Sequence, residues 1–260
     1  MFSTYVLGIE SNFRGAALIE QLVLYGIFPK IVWGPQVEID RIRIARYTNQ
    51  KFANFAIGRE IKPEEIACCL GHIEMYENFY ATENEWGLFL EDDAIPLLDP
   101  SPLIKRLPTS DKPLHIFLHD GPGTNLPFRQ DGILKEFDLS RRLDPQYGAY
   151  GYLLNRSAVS KILKSPVRDL INTPDWPYFW PRDIKFYVSS DVYFSHPKDL
   201  STSIIGERIN KEAKLSSQIP KWSKIIQGQK ISPDFRHILY KEFSLKLLRV
   251  SLQIWKRITK

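Results

Sequence analysis

An apolar run from Trp86 to Leu90 ends on three consecutive acids, Glu91-Asp92-Asp93, after which Ala94 to Leu98 is again largely apolar. A segment this apolar reads as a strand buried on both faces, inside a sheet covered by helices rather than on an exposed hairpin. Acids placed where such a strand leaves the sheet repel one another, so the fold must bring positive charge to them. Hard divalent cations such as Mg²⁺ or Mn²⁺ take carboxylate oxygens and keep positions open for phosphate, which points to a metal-diphosphate site. A solvated acidic turn is the alternative. In open α/β sheets ligands bind at the carboxyl ends of the strands, where these acids fall.

The surrounding pattern supplies such a sheet. Tyr5 to Ile9 reads as a strand, about Arg14 to Tyr25 as a helix and Ile31 to Trp33 as a second strand, the opening of a parallel α/β sheet. Pro63-Glu64-Glu65 starts a helix, with proline in the first turn and acids at the positive end of the dipole. This helix runs through Ile66, Leu70, Ile73 and Phe79 into the acidic strand. Further strands are expected at His115 to Leu118, Tyr150 to Leu154, Phe186 to Val188 and Val192 to Phe194, with a helix from Ser157 to Lys164. His119 to Gly123 is a loop by composition. Thr173 to Pro181 holds three prolines among four aromatics, so it is no regular element; it is either a rigid loop offering stacking surfaces or a stiff turn packed on the core.

At 260 residues the chain can form one large α/β domain, alone or with a C-terminal appendage. Met1 to Glu10 lacks the basic start of a signal peptide, and no apolar window approaches the ~18 residues of a membrane span. Cys68 and Cys69 are adjacent in a helix, where neighbours point about 100° apart. They fit a reducing cytoplasm as small buried residues rather than as a disulfide or metal site.

Several of these segments, in order, resemble glycosyltransferase family 25, which includes bacterial lipopolysaccharide and lipooligosaccharide galactosyltransferases. They are Glu65-Ile66-Ala67-Cys68-Cys69-Leu70-Gly71-His72, Leu88-Phe89-Leu90-Glu91-Asp92-Asp93, Gly148-Ala149-Tyr150-Gly151-Tyr152-Leu153-Leu154-Asn155-Arg156-Ser157-Ala158, then Pro174-Asp175 and Ser203-Ile204-Ile205. The resemblance covers about residues 1 to 205. It departs at Gly71, where the family carries Ser, and at Gly8-Ile9-Glu10, where the family's first strand ends in Ile-Asn-Leu ahead of a run rich in Arg. Only Arg14 lies nearby here.

The resemblance implies a GT-A-like fold, a nucleotide-binding α/β/α sandwich over residues 1–210, and transfer with inversion of a sugar from a nucleotide sugar. The donor it implies is UDP-galactose, the acceptor a lipid-linked oligosaccharide, and the cofactor Mn²⁺ or Mg²⁺. Such chemistry needs a cation for the leaving diphosphate, a base for the acceptor hydroxyl, polar groups for the donor and a platform for the acceptor. Glu91 and Asp93 are two apart and share a face on an extended segment. Asp93 is assigned as chief metal ligand, with Glu91 on the metal's water shell or the ribose, and Asp92 on a local hydrogen bond or the donor sugar. His196, after a late strand, either completes the metal site or only caps the strand end. Gly8, Glu10, Arg14 and His72 are the remaining expected donor contacts, His72 alternatively supporting the metal strand from behind. Asp175 is the candidate general base, since partial desolvation among Trp176, Tyr178 and Trp180 raises a carboxyl's proton affinity; alternatively it only shapes the turn. Asp191 and Asp120 are the other candidate bases. The competing class is a non-catalytic carbohydrate-binding or assembly protein on a degenerate transferase fold, and a nucleotide-sugar hydrolase is a third.

The net charge of +5 is uneven: Lys221 to Lys260 carries ten Lys and Arg against Asp234 and Glu242. The remainder is slightly acidic, which speaks against nucleic acid as a partner. Residues 211–260 are therefore expected to form a separate basic helical tail. At 100° per residue Leu247, Leu248, Val250, Leu252, Ile254, Trp255 and Ile258 fall on one arc, and Lys246, Arg249, Lys256, Arg257 and Lys260 on the opposite one. Such a helix either lies on an anionic membrane, here the cytoplasmic face of the inner membrane, or docks its apolar arc on the body. Deleting Phe235 to Lys260 is expected to release the protein from anionic liposomes in flotation assays while sparing transfer to a short soluble acceptor, because each basic residue near such a surface contributes about 1 kcal/mol. An insoluble truncated protein would instead indicate packing on the body.

Overall fold

The computed structural model describes residues 2–37, 40, 62–119, 134, 136–142, 148–164 and 184–197. Asp175, Asp120 and the whole basic tail lie outside the described residues, and with them the proposed boundary at residue 210.

Strand β1 (Phe2–Gly8) leads through a single 3-10 turn (Glu10–Asn12) to helix α1 (Ala16–Leu24) and strand β2 (Lys30–Trp33). Helix α2 (Pro63–Tyr80) then feeds β3 (Trp86–Glu91), followed by β4 (Ile95–Pro96), α3 (Ser101–Arg106) and β5 (Leu114–Phe117). The chain continues through β6 (Leu139–Arg142), β7 (Gly151–Asn155), α4 (Arg156–Lys164), β8 (Lys185–Ser189) and β9 (Phe194–Ser195). Seven strands form one sheet in the order β2-β1-β3-β7-β5-β8-β6, and β4 pairs with β9 in a second. In the large sheet β7 runs antiparallel to β3 and β5, and β6 antiparallel to β8; the other neighbours are parallel. The sheet is therefore mixed, with five strands running one way.

Alternation along the strands fills both faces. Val6, Leu88, Leu90, Ile116, Leu153 and Tyr187 pack with Leu18 and Leu22 of α1 and Ile104 of α3. Tyr5, Leu7, Phe89, Phe117, Tyr152 and Leu154 pack on the other face with Met75, Tyr76 and Phe79 of α2 and with Ala158 and Val159 of α4. This is the α/β/α sandwich expected from the sequence, and it explains why Trp86 to Leu90 is continuously apolar: every residue of that run is buried.

Local chemistry sets the helix starts. The Glu65 carboxylate accepts from the Lys62 N–H at 2.8 Å, so this buried acid is a helix cap. Asn155 is fully buried: its Oδ1 accepts from Ala158 N–H at 3.1 Å and Leu114 N–H at 2.9 Å, and its Nδ2 donates to the Ser110 and Lys112 carbonyls at 2.8 Å each. One amide thus caps α4 and pins the entry to β5. The departure at Gly71 also has a local cause. A Cβ there would lie 2.4 Å from Leu7 Cδ1, so glycine admits Leu7 between α2 and β1.

Phe89 is fully buried, stacked on Tyr5 and Tyr152 at 5.7 and 5.5 Å and edge-on to Tyr76 and Phe79 at 5.1 and 5.7 Å. Phe89→Ala is expected to lower unfolding free energy by about 3–5 kcal/mol in urea titrations. Leu24→Ala, at a residue 74% exposed, should stay within about 0.5 kcal/mol of the parent.

Candidate functional site

Register brings three strand ends together. Gly8 pairs with Trp33, and Leu7 with Glu91, so β1, β2 and β3 finish side by side. The segments that leave them form the rim of a cleft of about 280 Å³. Gly8 at the end of β1, Ser11 and Asn12 of the 3-10 turn, Gly34 and Gln36 after β2 and Cys68 of α2 line it, with Glu91, Asp92, Asp93 and Arg14 at its acidic end. Of the expected donor contacts, Gly8, Arg14, Glu91 and Asp92 are in this lining. Glu10 is exposed on the 3-10 turn outside it, and His72, 1% exposed, lies behind it.

The strand stops at Glu91, and the Ala94 N–H donates to the Glu91 carbonyl at 3.1 Å, closing a turn. This corrects the expectation that Glu91 and Asp93 share a face. The extended geometry ends before Asp93, so the three acids reach different partners. Glu91 Oε1 lies 3.1 Å from His72 Nε2 and accepts from Cys68 Sγ at 3.4 Å. Asp92 accepts from the Arg14 backbone at 3.1 Å and from Arg14 Nη2 at 2.8 Å. Asp93 Oδ2 meets Arg14 Nη2 at 3.2 Å and His196 Nε2 at 3.1 Å.

The pairing of Asp93 with His196 follows from the small sheet. The turn runs directly into β4, β4 pairs antiparallel with β9 through Ile95 with Ser195 and Pro96 with Phe194, and His196 is the next residue after β9. Tyr150 lies 5.3 Å from the His196 ring, and His119, 4.1 Å from Tyr150, donates from Nε2 to the Gly148 carbonyl at 2.9 Å. With a carbonyl as partner, that nitrogen carries the proton. Gly148 adopts φ of +97°, which a side chain would strain. Cys68 and Cys69, expected as small buried residues away from any metal site, are instead half-buried, and Cys68 lines the cleft in a group that could hold a metal; neither the direction of a helical thiol nor the ring contacts of Tyr150 and His119 across strands carry a local signal. Asp191 is exposed on the connection between β8 and β9.

Positive charge is already supplied to the acids by Arg14, which sequence reasoning had sought in a cation. Burial raises the Asp92 carboxyl above its usual range despite Arg14. Burial acts on Asp93 in the same direction, but the His196 bond and charge together with Arg14 hold it below that range. The bond to Asp93 in turn raises His196 against the effect of burial.

Two donor sets could hold a cation. Cys68, His72 and Glu91 offer atoms within 4.8 Å of one another, yet those atoms already hydrogen-bond to each other. Asp93 Oδ1 is buried with no hydrogen-bond partner among the described residues, beside an imidazole. An acceptor orphaned in this way carries a desolvation cost of about 1–3 kcal/mol, which a bound cation would remove. In the second pair His196 Nε2 likewise already faces Asp93 Oδ2 at 3.1 Å, so what sets it apart is the free Oδ1, an oxygen of the kind that hard divalent ions take. A groove of about 370 Å³ between α1 and β4 shares Arg14, Asp92 and Asp93 with the cleft, so these charges form the partition between the two spaces.

Residues 35–121 match the family model described as glycosyltransferase family 25 (LPS biosynthesis protein), a stretch that contains α2 and the acidic strand. The chain thus resembles that family both by its motifs and by this comparison. No curated protein matches. Among solved structures, A197 from STIV is similar at 14% identity, covering 76% of this chain and 87% of that one with a TM-score of 0.46. HddC from Yersinia pseudotuberculosis complexed with GMP-PN is similar at 13% identity, covering 75% and 93%, with a TM-score of 0.40. A glycosyltransferase involved in glycosylation of the major capsid of PBCV-1 is similar at 12% identity, covering 82% and 98%, with a TM-score of 0.36.

Arg14→Met is expected to destabilise the protein, and Asp92→Asn in the Arg14→Met background should cost less than it does alone. The coupling read from urea unfolding of the four proteins should be about 0.5–3 kcal/mol. Additive effects would mean that Arg14 does not compensate the acids.

Proposed function

We propose that the chain is a glycosyltransferase that moves a sugar from a nucleotide sugar to a saccharide of lipopolysaccharide or lipooligosaccharide. The observation that carries this reading is the buried, unpartnered Asp93 Oδ1 beside His196, at the acidic end of a cleft formed where β1, β2 and β3 finish. The family match over the same acids supports it.

The cleft would take the nucleotide between the segments that follow β1, β2 and β3. Asp93 and His196 would hold Mn²⁺ or Mg²⁺, which when bound supplies positive charge to a leaving diphosphate. Arg14 keeps Asp92 and Asp93 paired at the partition, fixing both carboxylates before any ligand arrives. A preorganised charge of this kind costs no rearrangement during reaction. The acceptor saccharide would approach through the groove between α1 and β4, meeting the donor at Asp93. Asp175 is the proposed base for the acceptor hydroxyl, with Asp191 as the second candidate. Inversion, galactose as the transferred sugar and UDP-galactose as its donor rest on the resemblance. No helix among the described residues is long and apolar enough to cross a membrane. Attachment at the cytoplasmic face of the inner membrane is proposed through the basic tail.

Mn²⁺ together with UDP is expected to raise the melting temperature of the parent, because a ligand that binds only the folded state stabilises it. Asp93→Ala should lose that shift and lower sugar transfer by about 10² or more. Transfer at an undiminished rate in EDTA would overturn the metal-dependent reading.

A further inference from the structure

Behind the acidic end of the cleft, α2 and β7 contribute a chain of polar groups that the proposed reaction does not use directly. The Tyr76 and Tyr152 hydroxyl oxygens are 2.6 Å apart, the Tyr152 hydroxyl lies 2.6 Å from His72 Nδ1, and His72 Nε2 lies 3.1 Å from Glu91 Oε1. Tyr76, Tyr152 and His72 are each 3% exposed or less, so water does not compete for these bonds. The rings are held from several sides: His72 stacks on Tyr152 at 5.8 Å, Tyr152 on Phe89 at 5.5 Å, and Tyr76 meets Phe89 edge-on at 5.1 Å.

One assignment of protons satisfies the whole chain. Tyr76 donates to Tyr152, Tyr152 donates to His72 Nδ1, and the His72 Nε2–H donates to Glu91. The ring is neutral in this arrangement, and burial pushes both phenols up, keeping them protonated as donors. Cys68 Sγ donates to the same Glu91 oxygen at 3.4 Å. Two donors therefore occupy Oε1, whereas no described residue donates to Oε2, and Glu91 lines the cleft. The terminal torsion of a free glutamate is broad, so its two oxygens would otherwise exchange roles. A carboxylate fixed in this way is an acceptor only; it repels phosphate and suits hydroxyl donors.

We infer that His72, held by Tyr152 and Tyr76, is a positioning residue that presents one Glu91 oxygen to the ribose hydroxyls of a nucleotide in the cleft and so sets a preference for ribonucleotides over deoxyribonucleotides. This rests on the nucleotide-sugar reading of the cleft.

The test is calorimetric affinity for UDP and for its 2′-deoxy and 3′-deoxy analogues, with Mn²⁺ present, in the parent, His72→Leu, His72→Gln and Tyr152→Phe proteins. The parent should favour UDP over at least one analogue by about tenfold or more, since a site built to bond a hydroxyl rejects the ligand that lacks it. His72→Leu should bring that ratio close to one. His72→Gln, whose amide can donate near the Nε2 position, should keep most of it, and Tyr152→Phe, the mildest change, should reduce it. A ratio unchanged in His72→Leu and Tyr152→Phe, even with lowered melting temperatures, would reduce the chain to a structural element and overturn the inference. Equal affinity of the parent for all three nucleotides would overturn it as well while leaving nucleotide binding intact. A parent that binds none of them would remove the nucleotide-sugar reading itself, and the inference with it.

Discussion

The contact of Arg14 with Asp92 and Asp93 is the interaction on which the site depends. Two like charges about 4 Å apart near a protein surface cost on the order of 4 kcal/mol, against a total stability of about 5–15 kcal/mol for a typical domain. A strand ending in three acids is therefore tolerable only where each acid is met. Here three parts of the chain meet them: Arg14 ahead of α1 meets Asp92 and Asp93, His196 after β9 also meets Asp93, and His72 and Cys68 of α2 meet Glu91. The segments that must converge to neutralise the acids are the same segments that wall the cleft.

The two ends of the triplet are satisfied to different degrees, and that difference carries chemical meaning. Glu91 Oε1 has two hydrogen-bonding neighbours and a polar chain behind it, whereas Asp93 keeps one buried oxygen without a partner among the described residues. Arg14 offsets charge on Asp93 but leaves that oxygen without a donor. Charge compensation and hydrogen-bond satisfaction are separate requirements, and only the second is unmet. The unmet requirement thus sits at Asp93, beside His196, and not in the neighbouring cluster of thiol, imidazole and carboxylate, whose atoms bond one another.

Much of the architecture was legible in the sequence because its strands and helices carry strong periods. The run from Trp86 to Leu90 and the helix opened by Pro63 fall where expected, and so do β2, β5, β7, β8 and α4 within a residue or two, while β1 begins three residues earlier than expected, at Phe2. Strand β6 was not legible: Leu139-Ser140-Arg141-Arg142 has no alternation that reads as buried, and it is a strand because it pairs with β8. The pairing of Asp93 with His196 was expected only through the family resemblance, since it arises from the register of β4 on β9. The charge-neutralising role of Arg14 was missed for a similar reason. Arginine ahead of a helix has no local signature, and the acids it meets lie beyond α1, β2, α2 and β3.

The turn at Glu91 to Ala94 decides what the triplet can do. Had β3 continued, Glu91 and Asp93 would have pointed the same way and competed for one ligand. Instead the turn sends Asp93 toward β9 and leaves Glu91 against α2, so neighbouring carboxylates meet different environments. A partly unsatisfied carboxylate beside an imidazole suits a cation and, through it, phosphate. A carboxylate with one oxygen already occupied, and no described cationic side chain bonded to it, suits neutral hydroxyls. One tight turn, followed by the β4–β9 pairing, thus places in different environments two carboxylates that the sequence presents as a single acidic run.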